Sequence, residues 1–265
     1  GVSLARLGSR MLVQMKADWG PSYLWPVGKG DPIPALDALA EDARRQGEPL
    51  RLICLGQAQK DWLTRRYPGR FTFSEIRAGF DYLYDVDRLA DLPGRQLHAK
   101  RNHIHRLDES RPGWTWAALT EDDLPSCRAM NEAWYQKSLG RDGPEALSSL
   151  EEDHRAILRA MDYREPLGLE GVVLRWQGEV FDFALGSLLT ERVFVFHCER
   201  ANHDLQGAYP AVNRAFAQYV RDRYPQVAYL NREDDMGVEG LRKAKLSYRP
   251  DHLQVNFCAA ETASV

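Results

Sequence analysis

This sequence has no apolar run long enough to cross a membrane as a helix. Stretches such as Val193 to Phe196 are strand-sized, against the roughly 18 residues a helical span needs, so no membrane insertion is expected. Cysteine is sparse. Cys54, Cys127, Cys198 and Cys258 are scattered without CxxC spacing, which argues against a disulfide framework or a cysteine-held zinc site and reads as reduced thiols in a cytoplasmic protein. Glycine never gathers into a phosphate loop: Gly28-Lys29-Gly30-Asp31 lacks the rest of a P-loop and is only a turn. No serine or cysteine stands in a GxSxG or Cys–His motif, so nucleophilic catalysis has no signature here. His103 and His105 fall on a predicted helix, where residues two apart point about 200° apart; with no carboxylate partner evident, no metal is expected. Neither Met nor a signal peptide opens the chain, and Gly1 reads as a trimmed or tagged start.

What is present is the composition of an ordinary globular protein. Its 265 residues, 44% hydrophobic and 28% charged, suit one large α/β domain or two small ones. The net charge of −3 is uneven: residues 1–110 hold 17 Lys and Arg against 14 Asp and Glu, the remainder 18 against 24. Bulk charge therefore announces no polyanion, and any nucleic-acid contact has to come from a local patch. DNA reading has no support.

Periodicity organises the second half. A strand is expected at 115–119, followed by a capping-box signal in Thr120 and Asp123, a helix through Ala133 and Trp134, and a second helix from about Ser149 to Met161. Three strands follow at 171–176, 179–189 and 192–199, the first two joined by a Gln177-Gly178 hairpin. Then come a helix at 209–224, a strand at 226–231, a short helix over "VEGLRKAKL" and a closing strand at 252–258. That order is similar to the GNAT acyltransferase fold, a mixed α/β sheet whose central strands splay to admit an acyl donor. The first half reads as a degenerate copy, with strands near Met11–Met15 and Tyr23–Val27, a helix from Ala35 to Arg45 with Pro34 at its first position, a strand at "LRLICL" and a helix from Gln57 to Arg66. Two tandem GNAT-like domains are expected, over residues 1–110 and 111–265.

Three stretches carry polar chemistry. "YLNREDDMGVEGLRKAKLSYRP" (229–250) sets Asn231, Arg232, Glu233, Asp234 and Asp235 at the carboxyl end of a predicted strand, where α/β sheets place ligands. Gly237 turns the chain, and Arg242, Lys243 and Lys245 follow on a short helix. Aminoacyl transfer needs a carboxylate to hold or deprotonate an amine and a cation for the oxyanion of the tetrahedral intermediate. Glu233 or Asp235 suits the first role and Lys245 the second, with Tyr248 as proton donor or clamp and the neighbouring residues binding substrate. The rival reading is an internal strut, Arg242 pairing with Glu239 or Asp235.

"FHCERANHDLQGAY" (196–209) is the second stretch. Alternation puts His197 and Glu199 on one face of the sheet, Glu199 as a general-base candidate and His197 as its companion or as a hydrogen-bonded core residue. Arg200, Gln206, Gly207 and Tyr209 would bind substrate, although one glycine makes a poor pyrophosphate cradle, which argues against acetyl-CoA. The third stretch, "GRQLHAKRNHIHR" (94–106), presents Arg95, Lys100, Arg101 and Arg106 on a helix with Leu97 and Ile104 inward; it is either a phosphate-binding face for tRNA or a solvated helix surface.

Together, "FDYLYDVDRLADLPGRQLHAKRNHIHRL" (80–107), "HCERANHDLQGAYPAVNRAF" (197–216) and "NREDDMGVEGLRKAKLSYRP" (231–250) resemble the phosphatidylglycerol lysyltransferase C-terminal-like family, many of whose members are free-standing bacterial proteins of unknown function. The resemblance implies paired GNAT-like domains and transfer of an amino acid from aminoacyl-tRNA, and a lysine in the late helix, here Lys245, as part of the site. Two departures stand out. The lipid-modifying relatives carry a membrane domain that this sequence lacks, which turns the expectation to a soluble small-molecule or peptide acceptor; and Glu199-Arg200 replaces Glu-Lys, keeping the charge with a different shape. No cofactor is firmly implied. The expected donor is aminoacyl-tRNA, with acyl-CoA as the alternative and a non-catalytic binding or regulatory module as the second alternative.

Overall fold

A computed structural model describes residues 1–17, 20–142, 147–202 and 204–262. Its first strands are β1 (Val2–Leu7), β2 (Arg10–Ala17), β3 (Gly20–Leu24) and β4 (Val27–Gly28), followed by α1 (Ile33–Arg45), β5 (Arg51–Leu55), α2 (Gln57–Arg66), β6 (Phe71–Glu75) and β7 (Asp81–Asp85). Helices α3 (Val86–Asp91) and α4 (His98–Ser110) lead to β8 (Thr115–Ala118), α5 (Leu124–Asp142) and α6 (Leu147–Asp162). The remainder is β9 (Glu170–Trp176), β10 (Glu179–Thr190), β11 (Val193–Ala201), α7 (Ala208–Arg223), β12 (Tyr229–Asn231), α8 (Glu239–Leu246), β13 (His252–Gln254) and β14 (Phe257–Glu261).

These elements form two units, Gly1–Asp81 with Asp234–Arg242 and Leu253–Val265, and Tyr82–Glu233 with Lys243–His252. The exchange falls at residue 81 rather than 110, so the basic helix α4 belongs to the second unit. The expected single closing strand is two strands, β13 and β14, that join different sheets.

In the first unit the sheet order is β1-β2-β3-β5-β14-β6, with β4 added on β2. Strands β3 and β5 pair in parallel across the α1 crossover, while β14 pairs antiparallel with β5 and β6. Ala35, Leu36, Leu39, Ala40 and Ala43 recur at three- and four-residue spacing and form the buried stripe of α1. They pack with Leu12, Tyr23, Leu50 and Leu52. Pro34 lies in the first turn, where a missing N–H costs nothing.

In the second unit the order is β13-β7-β12-β11-β10-β9-β8, and β8 through α8 reproduces the element order of a GNAT-like fold. Gln177 and Gly178 both take positive φ (51° and 86°), the conformation that closes a tight two-residue hairpin between β9 and β10. On one face α7 buries Phe216 against Phe194 and Phe196, with ring centroids 5.8 and 4.4 Å away, and Ile104 and Leu107 of α4 complete that core. On the other face Ile157 and Met161 of α6 pack with Cys127, Val173, Phe183 and Leu185. Among the described residues no helix is long and apolar enough to cross a membrane.

Two irregularities position the site. Strand β11 pairs in parallel with β12 only over Val193–Val195, yet it continues to Ala201 beside β10, so β11 and β12 part after Val195. Between the pairs Leu185↔Cys198 and Gly186↔Phe196, His197 is the extra residue of a β-bulge. Substituting Phe216→Ala is expected to lower the free energy of unfolding by about 3–5 kcal/mol, measured by urea denaturation.

Candidate functional site

Where β11 and β12 part, a buried guanidinium fills the space. Arg232 directly follows β12, and its Nη2 donates to Glu199 Oε1 on β11 at 2.8 Å. The other Glu199 oxygen accepts from Asn213 Nδ2 of α7 at 3.0 Å. The rings of Tyr248, Phe196 and Tyr84 surround the cation, 5.2, 5.3 and 5.9 Å from Cζ. Burial works against the Arg232 charge, and Glu199 together with Tyr84 and Tyr248 more than offsets it, so the group is held above its ordinary value. Its Nε and Nη1 are buried and have no hydrogen-bond acceptor among the described residues. The Tyr84 hydroxyl donates to the Lys245 carbonyl at 2.8 Å. Burial pushes the phenols of Tyr84 and Tyr248 well above their usual range, so both stay protonated.

Lys100 completes this cluster and departs from expectation. Its ammonium does not fan outward from α4 with the other bases but lies 3.9 Å from the centroid of the Tyr248 ring. Burial first, and then the charge of Arg232, lower it to about 8 against the opposing pull of Glu199. Of the other bases of this stretch, Arg95, in the turn before α4, and Arg106, on α4, are exposed, and Arg101 Nη1 is spent on the Leu92 and Gly94 carbonyls.

His197 and Glu199 do not share a face. The bulge at His197 breaks the alternation: Glu199 meets α7 through Asn213, whereas His197 turns to β10, where Ser187 Oγ is 2.9 Å from its Nε2. His197 Nδ1 is 2.7 Å from Glu233 Oε1. Glu233 adopts a left-handed φ of 56°; its N–H donates to Asn231 Oδ1 at 2.7 Å, and its carbonyl accepts from the Tyr82 amide at 3.2 Å.

The acid–base run 229–250 divides between the two units. Asp235, fully buried in the first, receives both Nε and Nη2 of Arg242 at 2.8 and 2.9 Å and Nη1 of Arg77 at 3.0 Å, which is the strut arrangement. Lys245, buried in the second, donates to the backbone carbonyls of Arg232 and Glu233. A buried ammonium has to be hydrogen-bonded, and here the chain itself supplies the acceptors. Lys243 is exposed.

The end of β11 and the start of α7 are tied to neighbouring side chains. Arg200 donates to Asn131 at 3.0 Å and pairs with Asp153, its guanidinium 4.0 Å from the Trp134 ring centroid. Tyr209 accepts from Trp134 Nε1 at 3.1 Å, and burial raises its phenol to about 12. Gln206 is exposed, while Gly207 has φ +96°, and a Cβ there would sit 2.0 Å from the His103 carbonyl oxygen. Glycine is thus needed for the close approach of α4 to the start of α7. His203 of the same motif lies outside the described residues. A separate cavity of about 730 Å³, lined in part by Met130, Trp134, Trp176 and Phe181, includes neither Arg232 nor Glu199; the chemistry, not the volume, marks the site.

The sequence reading missed four participants: Ser187, Tyr84, Asn213 and the inward role of Lys100. Tyr84 and Lys100 both fall in the 80–107 motif, which was a usable signal. Ser187 had none, because its contact depends on cross-strand register.

Comparison with known proteins agrees with this architecture. The family profile described as "Phosphatidylglycerol lysyltransferase, C-terminal" matches residues 3–260. A conserved protein of unknown function from Bacteroides thetaiotaomicron is similar in structure, with TM-score 0.86 and 33% identity over 98% of this chain and 86% of that one. L-PGS from Bacillus licheniformis shares the fold at TM-score 0.69 and 16% identity, over 97% of this chain and 82% of that one. An uncharacterised protein of Mycoplasmoides gallisepticum is 23% identical over 180 residues, 65% of this chain and 53% of the relative, so the chain spans about half the length of that curated relative.

The electrostatics of the cluster are testable by NMR of reductively 13C-methylated protein. Lys100 is expected to titrate near 8. Arg232→Met should move that midpoint upward by removing a like charge, and Glu199→Gln should move it downward by removing the opposite one.

Proposed function

The chain belongs to the phosphatidylglycerol lysyltransferase C-terminal family, and on that premise we propose that it moves an aminoacyl group from aminoacyl-tRNA to a soluble small-molecule or peptide acceptor bearing an amine or hydroxyl. The family takes its description from a lysyltransferase, and the second unit has the GNAT-like element order; donor and acceptor are our reading. One observation carries it: the desolvated Arg232, with two buried donors lacking an acceptor among the described residues, at the point where β11 and β12 separate.

Attack on the aminoacyl ester builds negative charge on the carbonyl oxygen, and a fixed guanidinium in a site shielded from water is a strong stabiliser of that oxyanion. In this reading Arg232 takes the role first considered for Lys245, whose ammonium holds the backbone of residues 232–233. Glu199, oriented by Arg232 and Asn213, accepts the proton the acceptor loses, and Lys100, lowered towards neutrality, lies within the same cluster. Protonated Tyr248 is a proton donor for the departing ribose oxygen. Arg95, just before α4, and Arg106, on α4, are exposed bases available for tRNA phosphates, and each such contact makes binding salt-dependent. A loop with a single glycine is a poor pyrophosphate cradle, which favours this donor over acyl-CoA.

The test is incubation of charged, radiolabelled aminoacyl-tRNA pools with polyamine, amino-sugar and peptide acceptors, scoring ribonuclease-resistant labelled product. Transfer is expected, and Glu199→Gln should reduce its rate by about a hundredfold or more. Transfer from acyl-CoA thioesters with none from any charged tRNA would overturn the donor assignment.

A further inference from the structure

Ser187, His197 and Glu233 lie in a line that the transfer reading does not use. Glu233 Oε1 is 2.7 Å from His197 Nδ1, and His197 Nε2 is 2.9 Å from Ser187 Oγ. An ionised carboxylate only accepts hydrogen bonds. Nδ1 therefore carries a proton, and in the neutral imidazole Nε2 is the acceptor for the Ser187 hydroxyl. That is the arrangement in which a histidine activates a serine, and it is recognised by geometry rather than by sequence position.

Two further features hold the line in place. His197 is the extra residue of the β11 bulge, and a bulge re-aims a side chain out of the regular alternation. Glu233 keeps a left-handed φ of 56°, uncommon for a non-glycine residue. It is fixed from both sides, its amide by Asn231 Oδ1 and its carbonyl by the Tyr82 amide and Lys245 Nζ, the latter at 3.2 Å. Backbone strain of this kind persists only where the surroundings over-determine it, and it clusters at functional sites. The His197 side chain is 39% exposed, and the next residues of β10, Leu188 and Leu189, expose apolar surface. A reactive ester can reach the serine.

We propose that Ser187 is a nucleophile that cleaves uncharged acyl esters through a covalent intermediate, an activity distinct from the tRNA-dependent transfer and independent of it. Ser187 Oγ attacks the ester carbonyl while its proton passes to His197 Nε2. The carbon–oxygen bond to the alcohol breaks, and the alcohol leaves with that proton. Water then attacks the Ser187 acyl ester, giving a proton to Nε2; the carboxylic acid departs and Ser187 Oγ takes the proton back. Ester and water become acid and alcohol with no further reactant. His197 is the general base, and Glu233 is a positioning residue that holds the tautomer and stabilises the imidazolium.

The experiment is covalent labelling of the full chain with an alkyl fluorophosphonate, with the adduct located by peptide mass spectrometry and the rate followed in tRNA-free buffer. One adduct on Ser187 is expected. His197→Asn should slow labelling by about a hundredfold or more, and Glu233→Gln by at least about tenfold at an unchanged thermal midpoint, an effect a purely structural carboxylate would not produce. No adduct on Ser187, or labelling as fast in His197→Asn as in the unsubstituted protein, would overturn the proposal. Either result is independent of the transfer assay, which reads Glu199 and charged tRNA.

Discussion

Two parallel strands that separate leave a wedge in the middle of a sheet, and the Glu199–Arg232 pair is what occupies it here. A buried guanidinium is tolerated only with a counter-charge, and removing either partner would leave the other uncompensated. Much of the surrounding composition follows from that requirement. Asn213 of α7 fixes the free oxygen of Glu199; Tyr84, Phe196 and Tyr248 give the cation aromatic faces; and Lys245 holds the carbonyls of Arg232 and Glu233, setting the direction in which the chain leaves β12. Burial first, and then the charge of Arg232, lower the Lys100 ammonium towards neutrality. A site that must stabilise transient negative charge benefits from a cation whose hydration has already been exchanged for fixed protein groups.

The same wedge creates a second arrangement. Because β11 must run on beside β10 after leaving β12, it absorbs an extra residue at His197. That bulge sends His197 and Glu199 to opposite faces although only one residue separates them. One face carries the carboxylate–guanidinium pair, the other the Ser187–His197–Glu233 line. Arg232 and Glu233, adjacent in the chain, serve the two arrangements separately, and the left-handed backbone at Glu233 makes that divergence possible.

Much of the fold was legible in the sequence. Alternation located β9, β10 and β11, Gln177-Gly178 announced its hairpin, and the spacing of Val212, Phe216 and Val220 defined the buried face of α7. The acid–base run and the 80–107 motif contain Arg232, Tyr248, Tyr84 and Lys100, which the structure brings together, and the family resemblance agrees with the profile match over residues 3–260. Three things escaped. The membership of β7 and β14 in their sheets is a matter of long-range pairing that local pattern does not encode. Lys100 looked like one more exposed base because nothing in a helical wheel reveals that an aromatic ring and a second cation lie beneath it. Ser187 and His197 are ten residues apart on antiparallel strands, and a one-residue bulge decides whether they meet. Conversely, the reading of Asp235 and Arg242 as a strut was available from their spacing, and the structure has that bidentate pair.

The central claim is that Arg232, at the parting of β11 and β12, receives the carbonyl oxygen of an aminoacyl ester. Its most direct test is the thermal midpoint of the protein with a non-hydrolysable aminoacyl-adenosine amide, with CoA alongside, in the unsubstituted protein and in Arg232→Met. A ligand that binds only the folded state raises the midpoint by mass action. The account predicts a rise with the aminoacyl mimic, none with CoA, and loss of the rise in Arg232→Met. A rise with CoA alone, or a mimic-induced rise that survives Arg232→Met unchanged, would contradict it.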